Sequence, residues 1–241
     1  MKLIYFTLGN NPNYISIANL CIKSLYKQNY DGDFLFITDL KNEILNNIQF
    51  NKEPLFIETT SSNLMKSSAN KLKIYLYEKI SNYEKIIFSD LDILWTCNPD
   101  KIFEILDEDL FFMSSQDVLM SEEWWGARIL NDDEKIKISE SNILGLNAGI
   151  FAFNKNMVEH LKKIDDFLNQ NIHLSNECLE QPFINVYLFR NNLYNTKLTN
   201  LVSHDGYKTE SFDGVALHFA GGPGNYSIKY EKMLNYYNKK I

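Results

Sequence analysis

The chain has 241 residues, of which 45% are apolar, enough to bury one sizeable core as a single domain. Lys and Arg total 24 against 31 Asp and Glu, a net charge of −7, so it lacks both the basic footprint of a nucleic-acid binder and the Lys/Arg clusters that dock on anionic membranes. Its three cysteines, Cys21, Cys97 and Cys178, form no CxxC pair, which argues against a disulfide framework and a zinc knuckle.

The first element is a continuous apolar run of strand length from Leu3 to Leu8. No basic and apolar leader precedes it, and no apolar run reaches the length of a bilayer span, so a soluble, cytoplasmic protein is expected. Gly9-Asn-Asn-Pro-Asn13 breaks the run with turn formers. From Tyr14, Ile17, Leu20, Cys21, Ser24 and Leu25 follow helical spacing. Phe34 to Ile37 reads as a second buried strand, Lys41 to Ile48 as a weak helix and Leu55 to Glu58 as a short strand. Leu72, Tyr75, Leu76 and Ile80 predict an amphipathic helix starting near Met65. Lys85 to Phe88 is the next strand, running into Ser89-Asp-Leu-Asp92.

This rhythm predicts right-handed βαβ units and a mostly parallel α/β sheet. Ligands of such sheets bind beyond the carboxyl ends of the strands, where Gly9–Asn13 and Asp90–Asp92 both fall. In the second half, Leu110 to Met113 and Gly149 to Phe153 read as strands around a long polar stretch, Ser114 to Asn142. That stretch carries Trp124-Trp125 and predicts a mobile acceptor-side lid, with the tryptophans as a sugar-stacking wall or, equally, as anchors to the core. Helices are predicted from Asn156 to Asn169, from Glu177 to Phe189 and from Ser227 to Tyr237. Val215 to His218 is strand-like and empties into Gly221-Gly-Pro-Gly224.

Asp90 and Asp92 are the sharpest chemical signal. Two carboxylates one residue apart at a strand end can share a cation, and Mg²⁺ or Mn²⁺ is typically held by one or two carboxylates plus substrate phosphates. A solvated turn is the bland alternative, but the flanking apolar sequence would leave two bare carboxylates repelling each other. Haloacid-dehalogenase phosphatases also carry an Asp-x-Asp after a strand. Here position 94 is Leu and no suitable Gly-Asp partner follows, which argues against that class.

Several blocks, in order, resemble the glycogenin and lipopolysaccharide-galactosyltransferase group, family 8 of the retaining glycosyltransferases, which has the GT-A fold. The blocks are Asn13 to Leu25, Asn70 to Tyr75, Asp90-Leu-Asp92, Leu146-Asn-Ala-Gly149, Glu180-Gln181 and His218-Phe-Ala-Gly221. The resemblance implies a single GT-A domain over 1–241, with a nucleotide-binding half at about 1–95 and a sugar and acceptor half at about 96–241. It implies a UDP-sugar donor, a carbohydrate or protein-glycan acceptor, Mn²⁺ or Mg²⁺ as cofactor, and retention at the anomeric carbon.

Residue by residue, the resemblance places Asp90, Asp92 and His218 on the metal. Leu8, Tyr14, Lys71, Leu91, Asn147, Gly149, Gly221 and Gly222 fall along the donor. Tyr14 stacks on the base, Gly149 admits a close backbone approach to the sugar, and Lys71, with Lys73 as fallback, meets the diphosphate. Glu180, where the family usually has Asp, binds sugar hydroxyls, and Gln181 lies near the anomeric carbon. The family's closing lysine is missing at position 224, which is Gly, and Lys229 is the candidate replacement. That departure keeps open a second class, a degenerate module that binds nucleotide-sugar or glycan without turnover. An inverting or mannosyl-type transferase of the same fold is a third. Of the other histidines only His204, beside Asp205-Gly206, stands in comparable context.

Overall fold

A computed structural model describes residues 1–9, 11–60, 64–176, 178–221 and 226–241, with backbone only at 64–66. Strand β1 (Lys2–Leu8) leads through a single 3₁₀ turn into α1 (Ile15–Lys27). The turn has a local cause: Asn11 accepts from the Asn13 amide and Pro12 opens the first turn, so Tyr14 is delivered just beyond the strand end. There follow β2 (Asp33–Thr38), α2 (Lys41–Asn47), β3 (Leu55–Glu58), α3 (Leu64–Ala69), β4 (Lys85–Ser89), β5 (Ile93–Trp95) and α4 (Asp100–Glu104). The second half runs β6 (Phe111–Leu119), α5 (Asp132–Glu140), β7 (Leu144–Asn154), α6 (Val158–Gln170), α7 (Gln181–Asn191), β8 (Tyr194–Asn195), β9 (Val202–Ser203), β10 (Ala216–His218) and α8 (Tyr226–Lys240).

Seven strands form one sheet in the order β3-β2-β1-β4-β7-β6-β8. β1 to β4 are mutually parallel where they pair, while β7 runs antiparallel to both β4 and β6. Side chains alternate across it with period two: Ile4 and Phe6 enter one core with α1 and α8, and Leu3 and Tyr5 enter the other with α6 and α7. Because both faces are covered, β2 is buried along its whole length. A second sheet, β5-β10-β9, lies against α1, where the Trp95 amide donates to Ser24 Oγ at 3.0 Å.

Two expectations need correction. The helix predicted from Met65 to Ile80 is a short α3 followed by a 3₁₀ segment, Asn70–Leu76. Its three-residue turn buries Asn70, Lys71, Leu72 and Ile74 together, a set that 3.6-residue spacing does not group. The polar stretch Ser114–Asn142 is structured: β6 extends to Leu119, β7 begins at Leu144, and α5 is closed by a capping box between Asn131 and Glu134. Trp125 is packed there with its indole over Gly145, and Trp124 is exposed. Among the described residues no helix is long and apolar enough to cross a membrane.

Candidate metal and nucleotide site

The sheet order reverses between β1 and β4, and a cavity of about 400 Å³ opens at their carboxyl ends. Thr7, Leu8, Gly9, Asn11 and Tyr14 line one side, Asp90, Leu91 and Asp92 the floor, and Ser67, Ser68, Leu179, Gly221 and Lys229 the remainder. Leu8, Tyr14, Asp90, Leu91, Asp92, Gly221 and Lys229 are thus brought together. Gly222 lies outside the described residues.

The Asp-x-Asp turn is clamped from two directions. The Asp90 amide donates to the Gly149 carbonyl on β7 at 2.7 Å, and the Phe219 amide donates to the Asp92 carbonyl at 2.9 Å. β5 leaves the turn immediately and pairs antiparallel with β10, with His218 opposite Ile93. That register carries the imidazole, 126 positions away in sequence, to within 3.1 Å of Asp92, Nε2 to Oδ1. One ligand atom each from Asp90, Asp92 and His218 lie within 4.8 Å of one another.

Asp92 Oδ1 is buried and has no hydrogen-bond partner, in spite of the nearby imidazole nitrogen. Such an acceptor is costly unless a cation or a donor meets it. The donor set, two carboxylates and an imidazole, matches divalent Mn²⁺ or Mg²⁺ with the nitrogen favouring Mn²⁺. The residues therefore fit a divalent cation.

Two lysines enclose the carboxylates. Lys71 Nζ lies 2.6 Å from Glu180 Oε1, 3.5 Å from Asp90 Oδ1, donates to the Ala148 carbonyl at 3.1 Å, and sits 4.7 Å from the Phe88 ring centre. Burial alone would lower its pKa, but Asp90 and Glu180 outweigh that and hold it above the ordinary lysine value. Lys229 Nζ donates to Asp92 Oδ2 and, at 3.3 Å, to the Gly221 carbonyl. Burial raises the Asp90 carboxyl to about 6, with Lys71 opposing and Asp92 adding to the shift. Burial acts the same way on Asp92, but His218 and Lys229 together hold it below the usual carboxylate range.

The sugar-side candidates occupy less open positions. Glu180 is buried and bonded by Lys71 and by Ser68 Oγ. Leu179 before it adopts φ 58°, a left-handed conformation unfavourable for a bulky side chain, which turns Glu180 inward. Gln181 Oε1 accepts from the Ala148 amide at 3.1 Å, and Asn147 Oδ1 accepts from the Gly149 amide at 2.8 Å. Gly149 makes room for the metal-side imidazole: a Cβ placed there would lie 2.3 Å from His218 Cε1.

Sequence reasoning overlooked Ser67, Ser68 and Asn11, isolated polar residues with no local pattern to mark them. It also left His204 without a role, and His204 contacts His218, Nδ1 to Nδ1, at 3.2 Å. Burial and then His218 push the His204 imidazole down to about 3.

The switch-point cavity, the Asp-x-Asp clamp and the mixed seven-stranded sheet together define a GT-A-type fold, the architecture of nucleotide-sugar glycosyltransferases. Solved structures agree. The chain is similar to the bifunctional glycosyltransferase WbbM in its apo form, with a TM-score of 0.59 and 15% identity, covering 100% of this chain and 50% of that one. It is also similar to a glycosyltransferase involved in glycosylation of the major capsid of PBCV-1, with a TM-score of 0.60 and 15% identity over 97% of this chain and 98% of that one. The chain thus spans half the length of WbbM and nearly all of the PBCV-1 protein. No family model matches the sequence, and no curated protein is detectably similar.

Proposed function

We propose that the protein is a metal-dependent glycosyltransferase that takes a hexose from a UDP-sugar and passes it, with retention, to a hydroxyl of a carbohydrate or protein-linked glycan. The observation that carries this reading is the buried, partnerless Asp92 Oδ1 beside Asp90 and His218 at the floor of the switch-point cavity.

Asp90, Asp92 and His218 would hold Mn²⁺ or Mg²⁺, which when bound supplies positive charge for a diphosphate leaving group. Tyr14, at the mouth of the cavity, offers an aromatic face to a base while its hydroxyl stays near the rim. Lys71 and Lys229 flank the two carboxylates from opposite sides, so each can stabilise negative charge that grows as the bond to UDP breaks. Gln181 and Asn147 orient the backbone at Ala148 and Gly149, on the strand that clamps Asp90. Glu180 is the one further carboxylate against this cluster, and Lys71 and Ser68 already hold its oxygens. That favours same-face attack by the acceptor over a covalent glycosyl-enzyme.

The position of Lys229 also supports turnover over mere binding. It supplies the charge missing at position 224, by contact with Asp92 and Gly221. The test is a screen of UDP- and GDP-sugars with Mn²⁺, reading nucleotide release with and without chelator. One UDP-sugar should release UDP slowly without acceptor, and chelation should stop it. Release that ignores the chelator would overturn the metal role, and binding without release would favour the degenerate module.

A further inference from the structure

His204 follows β9, and β9 runs parallel to β10 with Ser203 beside Leu217. The residues after that pair, His204 and His218, are therefore neighbours. The next turn fixes them, since the Gly206 amide donates to the His218 carbonyl at 3.1 Å. The two rings meet at 72° with centres 5.4 Å apart, and their Nδ1 atoms are 3.2 Å apart. On its far side His204 Nε2 lies 2.9 Å from Ser114 Oγ, a buried hydroxyl on β6 paired in register with Asn147. The line Ser114–His204–His218–Asp92 thus crosses from the large sheet to the small one.

A 3.2 Å contact between two Nδ1 atoms requires a proton on one and a lone pair on the other. If His204 carried it, His218 would bear its proton on Nε2 and donate to Asp92 Oδ1. That oxygen has no hydrogen-bond partner although Nε2 is 3.1 Å away, so the imidazole is not aimed to donate to it. The opposite arrangement uses every group: His204 Nε2–H donates to Ser114, His204 Nδ1 accepts from His218 Nδ1–H, and the His218 Nε2 lone pair faces the carboxylates.

We infer that His204, seated on Ser114, is a positioning residue that holds His218 in its Nδ1–H form and so presents Nε2 as an imidazole ligand beside Asp90 and Asp92. The inference rests on the cation reading above. Ligating histidines commonly depend on such a partner at the other ring nitrogen, and losing it typically costs about 10- to 100-fold in metal affinity.

The test uses the whole chain with Mn²⁺ as probe. The nitrogen shifts of His218 in the metal-free protein report its tautomer by NMR, and calorimetry reports Mn²⁺ affinity. The wild type should show the Nδ1–H form. His204→Phe should lose it and weaken Mn²⁺ by about 10- to 100-fold, whereas His204→Gln, whose carbonyl can still accept from Nδ1–H, should recover part of both. Ser114→Ala should shift the tautomer balance with a smaller loss of affinity. An Nε2–H form in the wild type, or a folded His204→Phe with unchanged tautomer and affinity, would overturn the inference. Were the wild type to bind no Mn²⁺, with or without UDP, the cation reading beneath it would fall, and the metal-free tautomer distinguishes that failure from this one.

Discussion

Gly149→Ala is the smallest change that should disable the site without disturbing the fold. The added Cβ would lie 2.3 Å from His218 Cε1, 2.9 Å from His218 Nδ1 and 2.9 Å from Asn147 Oδ1. Carbon–carbon contact is comfortable only from about 3.5 Å, so the imidazole must retreat by roughly 1 Å. A misplacement of that size typically costs about 10²-fold in rate. Gly149 lies inside β7 and has no positive φ, so alanine fits the backbone and can add a few tenths of a kcal/mol of stability through the unfolded chain. The expected result is a normal melting curve, Mn²⁺ affinity lowered on the order of 10- to 100-fold, and UDP release lowered by about 100-fold. A double-mutant cycle isolates the cause: in a His218→Ala background the clash disappears, and adding Gly149→Ala should cost nothing more. Full affinity and release in a folded Gly149→Ala would refute the claim that this glycine exists to seat the imidazole.

Lys71→Met should destabilise the protein by about 3–5 kcal/mol, because Glu180 is left buried and unpaired; thermal unfolding should fall by roughly 10 °C, and an unmoved Tm would mean the pair is hydrated. Tyr14→Ala should weaken UDP binding by up to about tenfold, the worth of one aromatic stack, with a smaller change in kcat, since base contacts are made equally in ground and transition states; calorimetry with UDP decides it. Trp125→Ala should lower Tm because its indole covers Gly145, whereas exposed Trp124→Ala should stay within about ±0.5 kcal/mol. Equal effects at the two positions would argue against the anchor role of Trp125.

The acidic turn was legible because a buried strand ends in two carboxylates, and the histidine because a strand ends before glycines. What joins them was not: β5, β9 and β10 have two or three residues each, too few for any periodic signal. The choice between Lys71 and Lys73 was obscured by 3₁₀ winding, which turns Lys71 into the core. The Ser114–Asn142 stretch looked structureless because the far half of β6 and nearly all of α5 face water, which removes the apolar pattern. Its one available signal was the Asn131/Glu134 capping box. Ser68 and His204 looked like any surface polar residue, since nothing local distinguishes a buried polar side chain that has partners from an exposed one.

The charge balance of the site argues that donor and cation must bind together. Asp90, Asp92 and Glu180 carry three negative charges against two positive ones on Lys71 and Lys229, leaving −1 in a chain whose net charge is −7. Neither lysine is idle, for Lys71 is engaged by Asp90 and Glu180 and Lys229 by Asp92. A diphosphate approaching these five side chains alone meets net repulsion. One divalent cation between the carboxylates changes the sum to +1, and the same diphosphate is then attracted. Binding of the two should be coupled, and by linkage the coupling is reciprocal, typically 5- to 150-fold. UDP titrated with and without Mn²⁺ should show at least a roughly tenfold difference, and Mn²⁺ titrated with and without UDP should show the same factor. Equal UDP affinity in the two conditions would mean that the lysines alone meet the phosphates, and the cation-centred account of the site would then be wrong.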